Sequence, residues 1–303
     1  MTRTEFVAGN VTVRAPATSA NLGPGFDSLG LSLELYDEVQ ASVASSAVPV
    51  EISGEGQDIL PRDERHLVLR AMRATFDFLR APQPGLQVKC RNFVPQARGL
   101  GSSSAAIVAG LRLAEGLVDG ASLSAAEALE LAIELEGHPD NVAACLFGQL
   151  TVAWVAEGGE SGTAGAVSLA VNPLVRPVLF IPPDPMPTEA SRRLLPETVG
   201  HGEAARNSGR AALLVAALTM HPDKLFVATE DRLHQEFRRS AMPESLHLVD
   251  QLRAVGEAAV LSGAGPTVLA LSTAAKPIDL SGWCPAGWGV AELAVDLRGA
   301  HLV

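Results

Sequence analysis

The sequence has 303 residues, 47% of them hydrophobic, and at about 150 residues per domain it predicts two domains or one large one. With 23 Lys and Arg against 34 Asp and Glu, the formal net charge of −11 works against non-specific binding to nucleic acid or an anionic membrane, so any phosphate has to be held by a local device. The longest unbroken apolar run, residues 211–218, is far short of the roughly 18 to 20 residues of a spanning helix, and no charged-then-apolar leader opens the chain; a soluble cytoplasmic protein is expected, with neither nucleic acid nor membrane as a partner.

In chain order, strands are predicted at residues 11–14, 31–43 and 86–90, and helices at 67–79, 103–118 and 125–136. A Gly-, Ser- and Ala-rich stretch at 157–166 and a Pro-rich one at 173–187 place a domain boundary within 155–170, drawn between residues 1–160 and residues 161–303. The second half reads as a strand at 175–181, helices at 205–219, 224–237 and 244–255, a strand-loop-strand at 258–271 and a last strand near 290–297. Clustered strands with helices to one side predict an α+β fold over a doubly wound sheet. Cys90, Cys145 and Cys284 are widely spaced with no CxxC, which implies neither a disulfide framework nor a zinc ribbon; each reads as a small buried apolar residue.

The sharpest motif is Arg98-Gly99-Leu100-Gly101-Ser102-Ser103-Ser104-Ala105-Ala106, between a strand and an apolar helix. Glycines allow close backbone approach, and the following helix aims free N–H groups and its positive dipole end at an anion, a phosphate-cradle layout that an ordinary Gly-Ser helix start also satisfies. No Gly-Lys-Ser/Thr follows, which excludes a Walker P-loop, and no GxSxG elbow is present, which argues against a serine hydrolase. The segment from Ala15 to Asp27 reads as a polar, glycine-punctuated loop after the first strand, where either a ligand or plain turn chemistry fits.

A third motif, Glu134-Leu135-Glu136-Gly137-His138-Pro139-Asp140-Asn141, ends a helix that opens with a Ser124–Glu127 capping box. Two glutamates in a last turn oppose the helix dipole at about 0.3–1 kcal/mol each, which a bound cation would offset at Glu136, while Glu134 reads as solvated. Ser262-Gly263-Ala264-Gly265-Pro266-Thr267 forms a second glycine loop between apolar strands, open to a plain hairpin reading. Arg192-Arg193 and Arg238-Arg239 stand out in an acidic chain; forked guanidinium groups suit a carboxylate or phosphate, and surface ion pairs are the alternative.

Taken in this order, these segments resemble the GHMP small-molecule kinases along nearly the whole chain. The wording is most similar to the homoserine kinase branch: residues 16–27, Ala97 to Ser103, Glu136-Gly137-His138-Pro139-Asp140-Asn141-Val142 and Ser262 to Thr267, with further similarity at Thr188, Arg192, Leu195-Pro196, Asn207 and His234 to Arg238. The resemblance implies an N-terminal domain like the second domain of ribosomal protein S5, a C-terminal ferredoxin-like domain, and an active site in the cleft between them. It implies ATP-dependent phosphorylation of the L-homoserine side-chain hydroxyl to O-phospho-L-homoserine in threonine biosynthesis, with ATP and Mg²⁺, in a homodimer.

Carried over residue by residue, the resemblance implies that Pro95, Arg98, Gly99, Leu100, Gly101, Ser102, Ser103 and Ser104 hold the nucleotide and that Ser103 and Glu136 face Mg²⁺. Asn21, Asp27, His138, Asn141 and Thr188 would line the homoserine pocket, Arg192 and Arg238 would grip its carboxylate, and Thr267 would lie nearby. Two positions depart from the pattern: Ala97 replaces the superfamily's first loop glycine, and His66 stands where an asparagine is expected beside the purine, leaving the adenine contacts open. With Glu136, the pair Asp140-Asn141 forms the catalytic set; Asn141 is expected to align the hydroxyl, its proton leaving to a phosphate oxygen or water, and Asp140 is the competing base. Another kinase of the superfamily would not need two arginines for a carboxylate, and a non-catalytic sensor could have lost Glu136 or the Gly-Leu-Gly-Ser-Ser core.

Overall fold

The computed structural model describes residues 5–46, 48–155, 164–273 and 279–303. In chain order the first half forms β1 (Val11–Ala20), β2 (Leu29–Ala44), β3 (Glu51–Gly54), α1 (Leu67–Phe78), β4 (Gly85–Asn92), α2 (Ser102–Leu117), α3 (Ala125–Glu136), α4 (Pro139–Phe147), β5 (Leu150–Val155) and β6 (Ala164–Leu169). The remainder forms β7 (Val175–Ile181), α5 (Thr188–Arg192), α6 (His201–Thr219), α7 (Leu225–Ala228), α8 (Pro243–Ala254), β8 (Ala259–Leu261), β9 (Val268–Thr273), β10 (Gly289–Glu292) and β11 (His301–Leu302).

A seven-stranded sheet runs β11-β1-β2-β4-β3, with β5 paired to β2 and β6 to β5. The length of β2 lets its start, Leu29 to Leu31, pair with β5 while Glu38 to Ala44 pair with β4. Helices α1 to α4 cover one face around Val13, Met72, Phe76, Ile107, Leu111 and Val142. Helix α2 is buried almost all round, and Gly110 lets it cross α1 closely: a Cβ there would meet the Val68 carbonyl at 2.6 Å. The second sheet, β10-β7-β9-β8, is antiparallel. Its Phe180, Leu261 and Val268 pack on Leu246 and Leu252 of α8. On its other face Leu179 and Leu269 meet Leu31 and Leu33 of β2 and Leu214 of α6, so one apolar cluster joins the two sheets.

The architecture is α+β, as expected, with several local differences. Strand β1 continues to Ala20, so the first half of the glycine-punctuated loop is buried strand. The helix expected over 224–237 stops at Ala228, because the Asp231 carboxylate accepts from the N–H groups of Leu233, His234 and Gln235 at 2.9, 3.1 and 2.7 Å and turns the chain. The strand expected near 290–297 ends at Glu292. Beyond it, Val295 bridges Leu33, and buried Asp296 accepts from Tyr36 Oη at 2.7 Å and Gly299 N at 2.7 Å, returning the chain to β1. Glycines are required here, since a Cβ on Gly299 would meet the Leu146 carbonyl at 2.4 Å. The 160/161 joint lies outside the described residues; β6 still belongs to the first sheet, and the change of sheet falls after Leu169. Cys90 and Cys145 are buried, whereas Cys284 is only partly so. Among the described residues no helix is long and apolar enough to cross a membrane.

Asp37 of β2 lies at the edge of the cleft described below, where its Oδ1 accepts from the N–H groups of Phe93 (2.6 Å) and Val94 (2.9 Å). Burial pushes its carboxyl up to about 6, against the opposing pull of those two bonds. A folded pKa above the unfolded value means that the folded chain binds the extra proton, so stability rises as pH falls through about 6 toward 4. Relative to Asp37→Asn, the wild type should therefore gain about 1 to 2 kcal/mol between pH 7.5 and 5.0 in urea unfolding. A difference independent of pH would show that the carboxyl is already solvated.

Candidate active site

Three glycine-rich segments meet backbone to backbone. Ser262 Oγ lies 2.6 Å from the Gly99 carbonyl and 2.8 Å from Ser19 Oγ, Thr18 N donates to the Leu100 carbonyl at 3.0 Å, and Gly263 N donates to the Ala20 carbonyl at 3.0 Å. A Cβ on Gly99 would lie 2.2 Å from the Ser262 carbonyl, and one on Gly101 would lie 1.9 Å from Thr18 Oγ1; both glycines also have positive φ. Gly101 caps α2 without a side-chain bond, so the first-turn N–H groups of Ser102, Ser103 and Ser104 begin a helix whose end opens on a cleft of 480 Å³.

Glu136, at the end of α3, lies against that same helix start: Ser103 Oγ and Ser104 Oγ donate to its Oε1 at 2.7 and 3.0 Å. The cost of its place in α3 is thus offset by the positive end of α2, and no cation is required for that compensation. Gly137 ends α3 with φ 93°, and Pro139 is the first residue of a new helix, α4, with His138 as its N-cap. Buried Asp140 Oδ1 accepts from Asn141 N at 2.7 Å and lies 3.5 Å from His138 Nδ1. Burial alone would lower the His138 pKa, but Asp140 outweighs it and the net shift is upward. Asn141 Oδ1 accepts from Thr18 Oγ1 at 2.7 Å, which leaves the amide N–H as the group Asn141 can offer a ligand.

Two guanidinium groups in the cleft lining are in different states. Arg192 forms a bidentate pair with Asp27 at 3.0 and 2.5 Å and lies over the Phe26 ring. Arg238 is 1% exposed, forms no ion pair among the described residues, and has a buried Nε without a partner. Burial and the neighbouring Arg192 push it down to about 10. Asn21, in the left-handed region at φ 65°, donates from Nδ2 to the Gly263 carbonyl at 2.8 Å and accepts from Asp27 N at 3.0 Å.

Asn21, Thr188, Arg192, Arg238, Glu136, His138, Asp140 and Asn141 all line this one cleft, together with the chain from Arg98 to Ser103. Pro95, Asp27, Ser104 and Thr267 are not among its lining residues. The Arg98 guanidinium is turned onto the carbonyls of Gln96, Pro182 and Pro183, so Arg98 faces the cleft as a brace for the loop. Thr267 is fully buried, with its hydroxyl unpartnered and its N–H on the Arg98 carbonyl at 3.3 Å. Thr18, Asp37 and Asn92 were not singled out from the sequence. Thr18 carried a signal, as a threonine inside the glycine-punctuated segment, but its partner Asn141 is 123 residues away. The cleft lining also includes apolar Leu60, Pro61 and Val68 with Asp37, Asn92 and His66. His66 caps α1 through Nδ1, and its Nε2 is buried without a partner.

Residues 66–149 match the N-terminal domain of the GHMP kinases. The chain is 52% identical over 300 residues to the homoserine kinase of Streptomyces avermitilis, covering 98% of this chain and 97% of that one. Its identity to the homoserine kinase of Streptomyces coelicolor is 51% over 300 residues, covering 98% and 96%. The crystal structure of homoserine kinase from Cytophaga hutchinsonii, 25% identical, superposes with a TM-score of 0.82 over 97% of both chains. With half its residues shared across nearly the full length of these relatives, and a fold shared with a solved homoserine kinase, the chain belongs to the homoserine kinase family of GHMP kinases.

Proposed function

We propose that this chain transfers the γ-phosphoryl group of ATP to the side-chain hydroxyl of L-homoserine, with the phosphates at the start of α2 and the amino acid at the arginine end of the cleft. The observation that carries the reading is Arg238: a buried cation with an unpartnered Nε, lining the same cleft as a helix N-terminus, is suited to a carboxylate on the substrate that accepts the phosphate. Production of O-phospho-L-homoserine for threonine biosynthesis, a cytoplasmic location and a homodimer belong to the same proposal.

Phosphoryl transfer through a loose transition state asks chiefly for alignment and neutralisation of charge. The glycine loop and the α2 N–H groups supply fixed positive charge density for the phosphates. Asn141 N–H holds the acceptor hydroxyl in line, that oxygen bonds to the γ-phosphorus as the bond to ADP breaks, and its proton leaves to a phosphate oxygen or water. Asp140 orients Asn141 and His138 through the single oxygen that contacts both. Ser103 and Glu136 offer hard oxygen donors fitted to Mg²⁺, and no cluster of three or more His, Cys, Asp or Glu able to hold a metal occurs among the described residues, so substrate phosphates would complete its shell. When bound, Mg²⁺ neutralises charge on the transferring group.

An ADP-release assay across homoserine, mevalonate, shikimate and galactose tests the assignment directly: homoserine should be the preferred acceptor, and turnover of another acceptor with none of homoserine would refute it. Glu136→Gln should raise the Mg²⁺ needed for half-maximal rate by about tenfold or more and lower kcat. Its metal-free stability should fall by about 0.5–1.5 kcal/mol, because a charged acceptor is lost from the start of α2; unaltered Mg²⁺ dependence would reduce Glu136 to a helix-end partner. Asn141→Ala should cut kcat by about tenfold or more and leave the pH profile in place. Should Asp140→Asn instead remove an acidic limb and abolish turnover in a folded protein, Asp140 is the base.

A further inference from the structure

Four side chains form a column along the amino-acid end of the cleft: Arg192 over the Phe26 ring at 5.5 Å, Phe26 stacked on the His234 ring at 5.2 Å and 27°, and His234 bonded to Arg238. His234 is fully buried and 211 residues from the chain it contacts: its Nε2 lies 2.8 Å from the Gly23 carbonyl. A carbonyl can only accept, so Nε2 carries the proton and Nδ1 presents a lone pair. Arg238 Nη1, 2.7 Å away, donates to that lone pair and lies 3.3 Å from the Gly263 carbonyl. The charged groups around the imidazole are Asp231, at 3.6 Å from Nε2, with Arg238 and Asp27; burial dominates and keeps the ring neutral by lowering its pKa.

The two arginines are thus held by opposite means. Arg192 is oriented by a carboxylate in direct ion-pair contact, whereas Arg238 is oriented by neutral acceptors, with Asp231 and Asp27 nearby but no carboxylate paired to it among the described residues. We propose that His234 is a positioning residue for homoserine recognition: it fixes the Arg238 guanidinium by a neutral acceptor so that no carboxylate of the protein occupies the guanidinium edge left for the substrate carboxylate. This rests on the reading that Arg238 faces that carboxylate.

The test is a double-mutant cycle with both substrates varied. Arg238→Ala should raise the homoserine KM by about a hundredfold and the ATP KM by less than about twofold; His234→Ala should raise the homoserine KM by about tenfold, again sparing ATP. In the Arg238→Ala background, His234→Ala should add less than about twofold, because its effect passes through the arginine. His234→Asn keeps an acceptor near the Nδ1 position and should recover most of the loss, while His234→Gln keeps the donor toward Gly23 but no acceptor there and should not; this pair carries the comparison if the alanine variant fails to fold. If Arg238→Ala raises both KM values equally, or neither, the carboxylate reading falls and the inference with it. If Arg238→Ala behaves as expected but the His234 effect multiplies with it, or falls equally on ATP, His234 is merely structural and the inference alone is overturned.

Discussion

Everything in the cleft depends on the absence of side chains where the phosphate loop crosses the 262–267 loop. Gly99 packs against the carbonyls of Ser262 and Gly265 and accepts from the Ser262 hydroxyl, and the smallest substitution at Gly99 would force the loops apart. The Gly263 carbonyl then serves both Asn21 and Arg238, so the loop that packs against Gly99 also fixes these two side chains. On the proposed reading, the sites for the two substrates share one backbone junction, the condition for holding a hydroxyl and a phosphorus in line.

Around this junction the electrostatics are local rather than global. The chain is acidic overall, at a formal −11, yet its cleft offers an anion a helix start and two arginines. The acidic groups inside are mostly occupied by the protein itself: Glu136 by Ser103 and Ser104, Asp140 by Asn141, Asp27 by Arg192, Asp37 by the backbone at 93 and 94. Each fixes a loop or helix end, while Arg238 is secured without a counter-charge.

What the sequence revealed follows the range of the interaction involved. The glycine loops, the capping box at Ser124 and Glu127 and the apolar faces of α1, α2 and α8 are local patterns and were legible. Gly137 and Pro139 were read correctly as ending α3, but the same proline opens α4, whose short length hid it between turn signals. The run over 224–237 has helical apolar spacing, and the Asp231 carboxylate outcompetes the helix by taking three backbone donors. Strands β5 and β6 give little local signal, since their definition comes from pairing with β2 and with each other. The dipole cost assigned to Glu136 was sound for an isolated α3; its compensation lies 33 residues earlier, at Ser103, where no window on one helix reaches.

The return of residues 293–302 to the first sheet has a consequence for the making of the protein. Val295, Asp296 and Ala300 lock onto Leu33, Tyr36 and Cys145, and β11 covers the edge of β1. A chain emerging from the ribosome therefore presents β1 with an open edge until residues 301–302 are available to pair with it, and the Tyr36 hydroxyl waits for Asp296. Such late, long-range closure slows folding and leaves an uncovered strand as a temporary aggregation hazard. Among the described strands of the seven-stranded sheet, the earliest and the latest in the chain are thus direct neighbours.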